Sequence, residues 1–119
     1  MSFGFQIKDN TVWASISGEV DMQIASLWRE ALEQQLNSTL ARNLTFDFTG
    51  VRFIDSSGLG VVLGRYKRVA SRGGRVRIVG AGPQVYKILQ LSGFAGLMEI
   101  EPPAGLEDQE AGRQAGGRM

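Results

Sequence analysis

The 119-residue chain contains no histidine and no cysteine. That removes the commonest general base, the commonest metal ligands, thiol chemistry and disulfides. A serine nucleophile would have only carboxylates or lysines to activate it. No catalytic, cofactor-binding or metal-binding residue is therefore assigned. No apolar run approaches the roughly 20 residues needed to cross a bilayer. Met1-Ser2-Phe3-Gly4-Phe5 has neither the basic start nor the long apolar stretch of a signal peptide. A cytoplasmic protein with no membrane partner is expected. Acidic residues are also missing from one long stretch. Between Ser56 and Met98 there are none, against seven basic residues, while the segments on either side each carry a net charge of −3. Such segregation can steer a partner.

What is present is the composition of one ordinary globular domain, 43% hydrophobic and 21% charged. Phe3 to Lys8 alternates weakly and reads as an edge strand. Asp9-Asn10 is turn chemistry, and Thr11 to Ser17 alternates clearly, so the two strands form a hairpin. Gly18-Glu19-Val20-Asp21 reads as a loop, with Asp21 as the N-cap of a helix from Met22 to Leu36. Thr45 to Phe48 is a short apolar strand. Leu59, Val62, Leu63, Tyr66, Val69 and Ala70 mark a second helix, ended by Gly73-Gly74. Val76, Ile78 and Val79 mark a strand. Pro83 opens a third helix, with Val85, Ile88 and Leu89 facing in and Gly93 near its C-cap. Leu97 to Ile100 reads as a last short strand. The order ββαβαβαβ predicts a single α/β domain over residues 1–101, with a mainly parallel sheet, an antiparallel N-terminal edge strand and helices packed on it. Residues 102–119 have few large apolar side chains and are expected to form a mobile tail.

Chemistry concentrates in Phe53-Ile54-Asp55-Ser56-Ser57-Gly58-Leu59-Gly60, at the junction of a strand and a helix. Asp55, Ser56 and Ser57 are all good N-caps. A phosphate on a serine here would meet the free N–H groups and the positive dipole end of the helix. Gly58, Gly60 and Gly64 each weaken a helix by roughly 1 kcal/mol relative to alanine, so close packing or close approach by a partner must compensate. A dinucleotide fingerprint fails, because its third glycine would fall on Leu63 and no acidic residue follows before Glu99. A nucleophile elbow fails because Asp55 stands where it needs glycine. Arg65, Arg68 and Arg72 share one helix stripe with no acidic residue at i,i+4, which makes a purely structural role less expected. No aromatic-rich strand accompanies them, so nucleic acid is not an expected partner. Met22 and Trp28 read as core or rim.

Ser17-Gly18-Glu19-Val20-Asp21, followed by a helix, resembles the first signature of the STAS family, the anti-sigma factor antagonists. Phe53 to Lys67 resembles the family's phosphoacceptor region, closest to its sporulation branch in spore-forming Firmicutes. Gly73-Gly74, Pro83 with Val85, and Leu91-Ser92-Gly93-Phe94 continue the match, which covers about residues 3 to 101. The resemblance implies a STAS-like domain without catalysis of its own. Its unphosphorylated form would bind an anti-sigma factor that is also a serine kinase, and so release a sigma factor. Phosphorylation of Ser57 by that kinase would switch binding off, and a serine phosphatase would restore it. The implied partner-binding set is Asp21, Asp55, Ser56, Ser57, Gly58, Leu59, Gly60 and Arg65. The alternatives are a STAS component of a general stress pathway, or a STAS module that binds a small anion or nucleotide.

Overall fold

Hydrophobic periodicity resolves into five strands and three helices in a computed structural model that describes residues 2–105. The strands are β1 (Ser2–Lys8), β2 (Thr11–Val20), β3 (Asn43–Ile54), β4 (Val76–Val79) and β5 (Glu99–Ile100). The helices are α1 (Met22–Asn37), α2 (Ser56–Ser71) and α3 (Pro83–Leu91), and a short 3₁₀ turn at Phe94–Gly96 precedes β5. The sheet order is β1-β2-β3-β4-β5, antiparallel between β1 and β2 and parallel elsewhere. The order ββαβαβαβ is therefore as the pattern predicts. The expected tail lies, from residue 106 on, outside the described residues.

Each parallel crossover steps one strand in the same direction. Right-handed connections then put α1, α2 and α3 on one face of the sheet. Val12, Ala14 and Ile16 of β2, Leu44, Phe46 and Phe48 of β3, and Val76 and Ile78 of β4 are buried beneath them. Trp28 of α1 is fully buried, with its ring 5.6 Å from that of Phe46 and 6.2 Å from that of Phe48. The alternate residues face away from the helices. Trp13, Thr45, Arg77 and Glu99 form one row across that second face, tied at its end by an Arg77–Glu99 ion pair of 2.8 Å.

Two strands run longer than their local sequence suggests. Gly18-Glu19-Val20 is not a loop but the end of β2, and β3 extends six residues past Phe48. Thr49-Gly50 reads as a turn in isolation. In the sheet it sits at a bulge: the register passes from Ser15↔Asp47 to Ser17↔Gly50, and a second shift follows Gly18. Bulges absorb extra residues without ending a strand. Gly50 is required there, because a Cβ would lie 2.6 Å from Ser17 Cβ. β5 is shorter than predicted, since Phe94–Gly96 and the residues after it form a turn buried through Phe94 and Met98. No helix among the described residues is long and apolar enough to cross a membrane.

Candidate functional site

The bulges let β2 and β3 finish together, with Val20 paired to Ile54. Asp55 N–H donates to the Val20 carbonyl (3.1 Å), so the two strand ends are tied. Each strand then turns into a helix through an aspartate. The Asp21 carboxylate accepts from Gln23 N–H (3.1 Å) and Ile24 N–H (3.3 Å) at the start of α1. The Asp55 carboxylate accepts from Ser57 N–H (2.9 Å) and Gly58 N–H (3.1 Å) at the start of α2. Both caps have extended backbone, as an N-cap requires. Two helix N-termini therefore lie side by side at one end of the sheet, each already holding an anion.

Asp55 performs the capping that Ser56 and Ser57 could also have supplied. Neither serine hydroxyl makes a hydrogen bond to the described residues. Ser56 is exposed and Ser57 half-exposed. The carboxylate also occupies the Ser57 and Gly58 N–H groups that a bound anion would use. The expectation that this helix end welcomes phosphate is accordingly weakened, since a phosphate on Ser57 would share the dipole end with Asp55 and face solvent.

The three glycines divide by environment. A Cβ on Gly58 would come within 2.6 Å of Ile54 Cγ1 and 2.9 Å of Val20 Cγ1, so this glycine lets the helix rest on the tied strand ends. A Cβ on Gly60 or Gly64 would meet nothing within 4 Å among the described residues. At about 100° per residue, Ser57, Gly60 and Gly64 lie along one stripe of α2. Internal packing does not ask for glycine at the latter two positions. The stripe is bare backbone beside a free hydroxyl.

The arginine stripe has a structural use that i,i+4 reasoning could not see, because its acid is on another helix. Glu33 of α1 pairs with Arg65 (Nε–Oε1 2.8 Å) and with Arg68. Arg68 also donates to the Asn37 side chain, and Arg72 donates to the Leu36 and Ala41 carbonyls. Arg65 is the most enclosed, with 13% of its side chain exposed. Burial pulls its pKa below the ordinary arginine value, Glu33 opposes this, and Arg29 and Arg68 reinforce it.

Of the eight sequence-derived partner-binding positions, Asp21, Asp55, Ser56, Ser57 and Gly60 come together at or near the surface of this end. Gly58 is buried beneath them, Leu59 packs partly against the core, and Arg65 turns toward α1. Two apolar neighbours are placed differently from the sequence reading or were passed over by it: Met22, expected with Trp28 in the core or at its rim, is exposed, and Phe53 was not singled out. Met22 is 72% exposed at the start of α1, and Phe53 is 46% exposed just before Ile54. The available signal was their phase: Phe53 alternates with the buried Ile54, and Met22 falls off the Ala25–Trp28–Leu32 stripe. Among the described residues no group of three or more carboxylates could hold a metal ion.

The STAS domain profile matches residues 3–105. An anti-sigma F factor antagonist of Paenibacillus polymyxa is 32% identical over 85 residues, covering 71% of this chain and 73% of the relative. An anti-sigma-B factor antagonist of Listeria monocytogenes is 30% identical over 87 residues, covering 72% and 75%. Among solved structures, the anti-sigma factor antagonist SpoIIAA in its unphosphorylated form superposes with a TM-score of 0.69 at 22% identity, over 94% of this chain and 98% of that one. The phosphorylated form of the Bacillus cell fate determinant SpoIIAA gives 0.68 at 25% identity, over 91% and 98%.

Proposed function

The chain belongs to the STAS domain family, and from that premise we propose that it is an anti-sigma factor antagonist switched by phosphorylation of Ser57. In its unphosphorylated form it binds an anti-sigma factor that is also a serine kinase, through the end of the molecule where α1 and α2 begin. The observation that carries this reading is the Ser57 hydroxyl, which makes no hydrogen bond among the described residues because Asp55 caps the helix in its place. The same end of the sheet carries the exposed apolar side chain of Met22 at the start of α1, that of Phe53 on the face of β3 turned away from α2, and the bare Gly60–Gly64 stripe, which suit a desolvated protein contact. The protein acts as a regulatory binding partner rather than an enzyme.

Phosphorylation adds about −1.5 to −2 charges. Asp21 and Asp55 already supply negative charge at this end, and Arg65, Arg68 and Arg72 are engaged with α1 and the segment after it. No arginine of this stripe is left to neutralise the phosphate. Packing it into an interface without a matching cation costs several kcal/mol, on the order seen for unpaired buried charges. The fold does not depend on the hydroxyl, so the switch changes binding and not shape. That solved relatives in both phosphorylation states match this fold about equally well supports this reading.

Anion or nucleotide binding at the start of α2 is disfavoured by the Asp55 carboxylate already on its N–H groups. The test is incubation with the candidate anti-sigma kinase and Mg-ATP, followed by intact mass and peptide mapping. One phosphate on Ser57, absent from Ser57→Ala, is expected. A phosphate on Ser56 instead, or none from a kinase active on another antagonist, would overturn the assignment.

A further inference from the structure

The free edge of the sheet carries a pattern that the switch does not use. Among the described residues β1 lies at the edge and pairs only with β2, from Ser2↔Ser17 to Lys8↔Thr11. The connecting residues Asp9 and Asn10 both have positive φ (53° and 63°), the signature of a two-residue type I′ hairpin turn. In that turn the flanking pair, Lys8 and Thr11, exchanges hydrogen bonds, and alternation assigns Ser2, Gly4 and Gln6 to the same inward set. The Ser15 hydroxyl, which reaches the Gly4 carbonyl, agrees with this. Phe3, Phe5 and Ile7 therefore aim their backbone N–H and C=O groups outward.

Their side chains lie on the helix-bearing face, since they pair with Ile16, Ala14 and Val12. Phe3 and Phe5 stack edge to face at 6.2 Å, yet Phe3 is 37% and Ile7 54% exposed. The devices that usually protect a sheet edge are absent from β1: it has no proline, no bulge and one charge, Lys8 at its end.

We propose that β1 is a self-association edge, pairing antiparallel with β1 of a second copy about a two-fold axis at Phe5. The sequence is self-complementary in that register. Phe5 meets its own copy, Phe3 meets Ile7, Gly4 meets Gln6, and Lys8 meets Ser2. Every outward backbone group finds a partner, apolar residues meet apolar residues on the helix side, and the two lysines stand at opposite ends of the ladder. Ile24 and Leu27 of α1 border this strip on the flank turned away from α2. Glu33 and Asn37 fix the opposite flank, and about 100° per residue does the rest. Leu27 is exposed, as an uncovered border would be. The product is a continuous ten-stranded sheet, isologous at its centre. Its two Ser57 sites lie at opposite ends, both accessible.

Sedimentation of the full chain over a wide concentration range tests this. Wild type is expected to move from 12.9 kDa toward twice that mass as concentration rises. The F3K/I7K variant places like charges directly opposite and is expected to stay monomeric. F3K/I7E places opposite charges across the same pairs and is expected to restore the dimer. I7P removes one outward N–H while sparing the hairpin's own bonds, and is expected to weaken dimerisation with the fold, checked by circular dichroism, intact. A wild type that remains monomeric up to millimolar concentration, or a dimer equally stable in folded F3K/I7K or I7P, would overturn the proposal.

Discussion

At residue scale, two glycines two positions apart in α2 serve opposite purposes. Gly58 is buried against Ile54 and Val20, and a Cβ at Gly60 would meet none of the described residues. Gly58→Ala forces a methyl into packed side chains. It is expected to lose about 1–3 kcal/mol of stability through overpacking, exceeding the gain in helix propensity. Gly60→Ala meets no neighbour and is expected to gain about 0.5–1 kcal/mol from helix propensity. Chemical denaturation of both variants checks the signs. On the proposed function, Gly60→Ala should nevertheless bind the anti-sigma factor more weakly, a stabilised protein with an impaired surface. Sequence alone could name these glycines as costly but could not sort them, because both follow the same strand and open the same helix. What separates them is which side of α2 rests on the tied ends of β2 and β3.

At the scale of elements, α1 and α2 are fastened by a clasp of Glu33 with Arg65 and Arg68, extended by Arg72 to the carbonyls of Leu36 and Ala41. Arg65 and Glu33 are both largely shielded from solvent, so loss of one partner leaves a poorly solvated charge. Glu33→Ala is expected to destabilise the protein by about 1–3 kcal/mol. Replacing both members, as Glu33→Leu with Arg65→Leu, is expected to cost less than Glu33→Ala, and a thermal or denaturant series on the three proteins checks the order. The arginine stripe was legible along α2, but its partner was not, since Glu33 is 32 positions away from Arg65 in sequence. The strands show the same boundary between local and distant information. The alternation of Val12, Ala14 and Ile16 reveals β2 directly. The length of β3 depends on bulges opposite Ser17 and Glu19, which exist only once the two strands pair.

At the scale of the whole molecule, the order of strands and helices was readable because each crossover helix carries its own apolar period, and α1 opens on the cap Asp21, α2 is followed by Gly73-Gly74 and α3 opens on Pro83. Placement of the proposed switch at the joined ends of β2 and β3 was only half readable. Asp21 and Asp55 were visible as candidate caps, yet their adjacency follows from the Val20↔Ile54 pairing. The molecule thus separates its surfaces. One end of the sheet gathers Ser57, Met22, Phe53 and the two capping aspartates, one edge exposes β1, and one face is covered by helices. A partner bound at the first would leave the second free.

The most direct test is calorimetric titration of the anti-sigma factor with two forms of the chain, unmodified and carrying phosphate on Ser57. The unmodified form is expected to bind. The phosphorylated form is expected to bind at least about a hundredfold more weakly, corresponding to roughly 3 kcal/mol of uncompensated charge burial, with an unchanged circular dichroism spectrum. Equal affinity of the two forms would contradict a switch at Ser57, and a loss of affinity accompanied by loss of fold would contradict a switch that acts through charge at the interface.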